Sequence, residues 1–209
     1  MVTLSFVENV IPRLEFFLQS LLIRQTACPH CRSPRIRLVA RKYFFVQIER
    51  CEVCGLYFTS PIYKPKLAPT LYGGLYEGGF VTRLPSHKEL AEWKKTNFKS
   101  TEKDYSKQLQ AMSELYESNN SSLLEIGSSW GYFLYQAAQR GFQSVGLEID
   151  RERASFGRKH LGVRIVNEFS DLKGQQFDII FAAHVLEHLA NLSGMLTEIC
   201  LHLRLGGKL

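Results

Sequence analysis

Leu123-Leu124-Glu125-Ile126-Gly127-Ser128-Ser129-Trp130-Gly131 decides the fold. Leu123–Ile126 is a short, mostly apolar run, a glycine-bounded turn follows it, and Trp130–Arg140 reads as a helix stopped by Gly141. Strand, glycine turn and helix in that order open the nucleotide-binding unit of doubly wound folds. Working downstream, Ser144–Leu147 reads as a second strand, Arg151–His160 as a second helix stopped near Gly162, Val163–Val166 as a third strand and Phe177–Ala182 as a fourth. Leu192–Leu205 reads as a helix ended by Gly206 and Gly207. The alternation predicts an α/β fold: a Rossmann-like, doubly wound parallel sheet with helices on both faces.

Upstream the rhythm is different. Residues 1–26 carry Leu4, Val7, Val10, Ile11, Leu14, Phe17, Leu18 and Leu21 at spacings that predict an N-terminal helix. Residues 27–66 hold two CxxC pairs around the β-rich runs Ile36–Ala40 and Tyr43–Ile48. Residues 67–120 combine a glycine- and tyrosine-rich loop with a polar, helix-prone stretch, expected as a helical linker to a domain at 121–209. The 209 residues are 45% hydrophobic and 22% charged, which describes a globular chain. No run of 18 apolar residues exists, and Phe16–Ile23 leads to no small-residue cleavage site, so a cytoplasmic protein without membrane span or signal peptide is expected. The formal charge of +6 is unevenly placed: residues 1–66 hold 10 Lys/Arg against 4 Asp/Glu, and residues 67–209 hold 16 of each. Either the first third is a solvated basic surface or it meets an anionic partner.

Cys28-Pro29-His30-Cys31 and Cys51-Glu52-Val53-Cys54 are separated by 19 residues. Each CxxC turn points two thiolates at one place, and two turns complete the tetrahedron of a structural Zn2+ site. Two disulfides would need an oxidising compartment, and a redox dithiol would open a helix in a thioredoxin-like unit; neither context is present. Cys28, Cys31, Cys51 and Cys54 are therefore the expected metal ligands, with His30 a spacer and Cys200 an inert core residue.

The turn also selects a cofactor. A dinucleotide fingerprint reads GxGxxG, whereas here Ser129 stands where the second glycine lets a pyrophosphate approach, and bulky Trp130 follows. Glu125 would repel a pyrophosphate and attract an ammonium. Glu148, 21 residues after Gly127, stands where an acid accepts ribose hydroxyls. S-adenosyl-L-methionine has a ribose, a sulfonium and an ammonium, and no phosphate. Gly127, Ser128, Ser129, Trp130 and Gly131 are read together with Glu125 and Glu148 as its binding loop.

Glu125-Ile126-Gly127 through Gly131, Val145-Gly146-Leu147-Glu148, and Phe177-Asp178-Ile179-Ile180 with His184-Val185-Leu186-Glu187-His188 resemble class I S-adenosylmethionine-dependent methyltransferases. His202 to Leu209 resembles that family's LxPGG turn before its fifth strand, with Leu205 in place of proline. Cys51–Leu56, Pro61 and the loop Tyr72–Phe80 are similar to a bacterial subgroup with a zinc ribbon before the catalytic domain, which includes sugar C-methyltransferases. The resemblance implies that Glu125 holds the methionine end, that Gly127 and Gly131 let the backbone close on it, and that Glu148 binds the ribose. It further implies that Ile149 flanks adenine, with Glu168 or Phe169 near its far edge. His184 would face the methyl-transfer site as cofactor contact and candidate base, and Tyr72 or Tyr76 would touch the cofactor from a lid.

His184-x-x-Glu187-His188 also spells an inverted zinc-protease motif, but that needs a long helix and a ligand further downstream. A divalent-ion cluster is weakened by His184 standing where an acid would serve. Glu187 and His188 are read as organising the loop. Three functions follow as expectations: methyl transfer to a small molecule such as a sugar, methylation of RNA held by the basic ribbon, or a non-catalytic remnant. The last comes from counting, since the family's sheet has seven strands and the chain stops where the fifth would begin. A sheet ending there would leave Phe177–Ala182 as an open apolar edge.

Overall fold

The computed structural model describes residues 25–42, 46–60, 83–116, 120–186, 189 and 191–209. The helix expected at 1–26 falls outside these except for its last two residues, as do the loop Tyr72–Phe80, the aromatic run Tyr43–Phe45, and Glu187 and His188. The chain divides into two compact units.

The first unit contains three antiparallel strands in the order β1-β2-β3: β1 (Ile36–Lys42), β2 (Val46–Cys51) and β3 (Tyr57–Ser60). The register runs from Ile36 opposite Cys51 to Lys42 opposite Val46, with an irregularity between Leu38 and Ala40. Because side chains alternate across a sheet, Gln47 and Glu49 share one face with Ser60 and Phe58, and Gln47, Glu49 and Ser60 are buried.

The second unit holds α1 (His87–Lys95), α2 (Ser106–Leu115), β4 (Ser122–Ile126), α3 (Tyr132–Ala138), β5 (Gln143–Leu147), α4 (Arg151–Leu161), β6 (Arg164–Val166) and a 3-10 turn at Phe169–Leu172. β7 (Phe177–Ala182) follows, then α5 (Leu192–His202), most of which belongs to this unit, and β8 (Leu203–Lys208). The five strands are parallel in the order β6-β5-β4-β7-β8. The chain winds outward from β4 to β6, then returns across β4 to β7. The switch point therefore lies at the carboxyl ends of β4 and β7, where doubly wound sheets bind ligands. β4 is central and buried at every position, the polar Ser122 and Glu125 included.

The segment expected as a helical linker packs into this unit. Ser86 and Glu89 form a reciprocal capping box that starts α1, and Leu90, Phe98 and Leu109 join the core beside Leu123, Trp130 and Phe133. The buried Gln136 amide fastens it further, donating to the Lys103 carbonyl at 2.8 Å and accepting from the Tyr105 N–H at 3.1 Å. The expectation of an open edge at Phe177–Ala182 is also corrected. β8 lies beside β7, with Leu203 opposite Phe177 and Lys208 opposite Ile179. The helix expected to reach Leu205 ends at His202. Gly206, with φ +81°, sits in a stretch whose register shifts, so the turn read from the two glycines is absorbed into the strand. Cys200 is exposed, because Ile199 and His202 set the buried side of α5.

Asp178 locks the amino end of the β4–β7 pair. Its carboxylate accepts the Ser122 N–H at 2.8 Å and hydroxyl at 2.7 Å, and two bonds from Arg204 at 2.8 and 2.9 Å. Burial alone would raise its pKa; the Ser122 and Arg204 bonds outweigh this and hold it below the usual value. A depressed folded pKa contributes stability above the unfolded value that is lost as pH falls through the folded one. Asp178→Ala is therefore expected to destabilise the protein by about 1–3 kcal/mol at neutral pH. The difference should shrink at pH 3 in urea titrations; a pH-independent deficit would assign the loss to packing instead.

Candidate cofactor and metal sites

The turn after β4 is built from unusual backbone. Gly127 has φ +72°, and a Cβ there would lie 2.5 Å from Val185 Cγ2. Only glycine allows both the left-handed conformation and the close approach. Gly131 has φ +80°, and its missing Cβ leaves room for Val163. Between them Ser129 adopts φ +49°, a sparsely populated region for a serine. The Gly127 and Ser128 N–H groups both donate to the Leu147 carbonyl, at 2.8 and 3.1 Å, which ties the turn to the end of β5.

That tie brings Glu148 to the turn. One carboxylate oxygen accepts the Ser129 N–H at 2.8 Å and the other the Asp150 N–H at 2.8 Å. Asn167, after β6, donates its side-chain amide to the Glu148 carbonyl at 2.7 Å. Each oxygen of Glu148 keeps a lone pair for a hydroxyl donor. Ile149, the next residue, is 79% exposed, an aliphatic surface beside a fixed carboxylate.

Glu125 is buried within β4, one residue from its end, and its Oε2 has no hydrogen-bond partner among the described residues. Burial, followed by the charge of Glu148, pushes its pKa well above the usual carboxyl value. A buried carboxyl without a partner is costly, and the cost is relieved by a cationic donor. The Ser128 and Ser129 hydroxyls are buried and unpartnered in the same way. These orphaned groups fit a ligand with an ammonium and hydroxyls, and two adjacent acids do not fit a pyrophosphate.

The other expected residues are placed as follows. The Trp130 side chain is fully buried in the core, stacked on Trp93 at 6.1 Å, so only its backbone belongs to the turn. Phe169 opens the 3-10 turn, its ring 5.2 Å from that of His202. His184 follows β7 in the left-handed conformation at φ +55°, adjacent to the Val185 that touches Gly127. Asn167 was missed by sequence reasoning; its position directly after β6 was the only signal.

In the first unit the four thiols lie within 4.8 Å of one another. Sγ of Cys28 is 3.6 Å from that of Cys54, and Cys31 is 3.5 Å from Cys51, so each close pair joins one knuckle to the other. A Zn2+ bound tetrahedrally at about 2.3 Å spaces its sulfurs about 3.8 Å apart, which this cluster meets. The Val53 and Cys54 N–H groups point at Cys51 Sγ, at 3.4 and 3.5 Å. Gly55, at φ +76°, completes the second knuckle.

Residues 124–209 match the family model described as a methyltransferase domain. No curated protein matches the chain. Among solved structures it is similar to a TehB-like SAM-dependent methyltransferase from Corynebacterium glutamicum, with 17% identity over 57% of this chain and 67% of that one and a TM-score of 0.45. It is similar also to DesVI of Streptomyces venezuelae, with 21% identity, coverage of 60% and 56%, and a TM-score of 0.40. A third is the glycopeptide N-methyltransferase MtfA complexed with S-adenosyl-L-methionine, with 17% identity, coverage of 50% and 52%, and a TM-score of 0.43. The chain thus spans between half and two thirds of the length of these structures. Among the described residues no helix is long and apolar enough to cross a membrane. The stretch from residue 124 to residue 209 is thus similar to methyltransferase domains.

Proposed function

We propose that the chain binds S-adenosylmethionine at the turn after β4 and transfers its methyl group to a small-molecule acceptor, a sugar or related biosynthetic precursor. The observation that carries the reading is the buried, partnerless Glu125 oxygen in the company of the backbone-held Glu148. When bound, the cofactor supplies an electrophilic methyl group on a sulfonium. Glu125 accepts from its ammonium, the free lone pairs of Glu148 accept from its ribose, and Ile149 offers adenine an apolar surface, with Phe169 toward its far edge. The Ser128 and Ser129 hydroxyls gain partners from the ligand's polar groups. Methyl transfer then requires an aligned nucleophile and a dry site more than it requires acid–base chemistry.

Where the acceptor must lose a proton, a ring nitrogen of His184 takes it, acting as general base from the loop that touches Gly127. His184→Ala is expected to lower turnover by about 10²-fold or more while changing cofactor affinity far less. The rates come from transfer of labelled methyl groups to an acceptor found by screening; equal loss of binding and rate would make His184 a cofactor contact alone. The proposal as a whole is tested by calorimetric titration of the zinc-loaded chain with S-adenosylmethionine and, separately, NADH. Saturable binding of the first alone supports it; binding of NADH alone, or of neither, refutes it.

A further inference from the structure

The face of the small sheet opposite the buried Gln47, Glu49 and Ser60 carries a row of cationic and aromatic side chains. Arg37 stands directly opposite Arg50, and Arg50 directly opposite Tyr57. Residues directly opposite share a face, so the row crosses all three strands on the side away from the buried Gln47, Glu49 and Ser60. Arg37 and Arg50 are exposed, and Tyr57 is 58% exposed. The Arg50 guanidinium lies 5.6 Å from the centre of the Tyr57 ring, a cation–π distance.

Two like charges directly opposite each other on a sheet destabilise it. Among the described residues no carboxylate pairs with either guanidinium. The Glu52 carboxylate is engaged by Arg35 at 3.7 Å. Four thiolates on one Zn2+ would leave a local charge of about −2, but at the knuckles, not on this row. What removes the cost is an anion lying across the strands. A phosphate backbone meets two guanidiniums in succession, and an adjacent exposed aromatic ring offers a π-face to an unpaired base.

We infer that this face docks single-stranded RNA, with Arg37 and Arg50 on consecutive phosphates and Tyr57 under a base. The docking stands apart from the methyl-transfer reading, and its test leaves that reading untouched. The test is fluorescence anisotropy of the zinc-loaded full chain with a labelled, mixed-sequence, 12-nucleotide RNA, from low to moderate salt. Arg37→Ala/Arg50→Ala is expected to weaken binding at least tenfold and to lower the slope of log affinity against log salt by about 1.4. Tyr57→Ala is expected to weaken binding about tenfold with the slope unchanged. Lys88→Ala, an exposed cation of α1, serves as the control and should bind as the unaltered chain does. Zinc content and circular dichroism establish that each variant is folded, and titration with S-adenosylmethionine reports the other site independently. No RNA binding at low salt, binding indifferent to the double variant, or binding to anionic phospholipid vesicles in place of RNA would each overturn the inference.

Discussion

Glu125→Gln is expected to make the protein more stable and to weaken its binding of S-adenosylmethionine. The two effects have one cause. Glu125 is buried, its Oε2 lacks a partner, and burial together with the Glu148 charge holds its pKa well above the ordinary value. Between the unfolded and the folded pKa the unfolded chain has released this proton and the folded chain has not. The folded state therefore binds more protons, and stability falls as pH rises through that window. A glutamine has the same shape, carries no charge and escapes this penalty. The variant's thermal midpoint should exceed the parent's near neutral pH, and the gap should narrow as pH falls toward 4.5. Ligand binding has the opposite sign. An ammonium at Glu125 favours the carboxylate, so affinity in the parent should rise with pH and binding should release a proton. Replacing that carboxylate removes a charge-assisted bond, at about 1.5–3 kcal/mol, or roughly 10- to 150-fold in affinity. Calorimetry in buffers of different ionisation enthalpy measures both the affinity and the proton. A variant that is less stable at pH 7 and binds as the parent does would remove Glu125 from the site.

The elements most legible in the sequence were those whose signal is local. β4, its glycine turn and the strands that follow were readable because apolar runs, glycine stops and helical lengths are fixed within a few residues of one another. Glu125 and Glu148 were readable as a pair of acids near the ends of two neighbouring strands, and both are buried. How Glu148 is held was not readable. Its bond from the Ser129 N–H joins residues 19 apart and exists because Ile126 and Leu147 stand side by side in the sheet. The same limit explains the helices of residues 83–116. Leu90 and Leu109 announced an apolar face, but amphipathic spacing does not name the surface that covers it, and here that surface is the core around Trp130. At the other end, Gly206 and Gly207 read as breakers, whereas the edge of β7 supplied partners that drew them into a strand. Cys200 was misplaced because apolar neighbours on both sides suggested a core position, while the phase of α5 turns Ile199 and His202 inward and Cys200 outward.

Removing the metal is expected to unfold the small sheet while leaving the α/β unit intact. Among the described residues of 25–60, the buried side chains are Cys28, Cys51, Gln47, Glu49 and Ser60, and none is a large aliphatic or aromatic group. Such a set supplies little hydrophobic stabilisation, so the three strands need a different source of folding energy. The crossed thiol pairs provide it. Cys28 with Cys54 and Cys31 with Cys51 staple the segment before β1 to the turn after β2, and a structural Zn2+ contributes about 10–16 kcal/mol in small domains of this kind. The α/β unit has its own core, from Leu90 and Phe98 to Phe133 and Ile179, and its stability does not draw on the cysteines. The chain should therefore hold one zinc. Chelation, or Cys51→Ser, should erase amide-exchange protection in β1, β2 and β3 and leave it in β4, β5 and β7. RNA binding should disappear with the ribbon, and S-adenosylmethionine binding should persist. Full protection of the small sheet after complete chelation would mean that the thiols do not carry its fold. A parallel loss of protection in β4 would mean instead that the two units unfold as one.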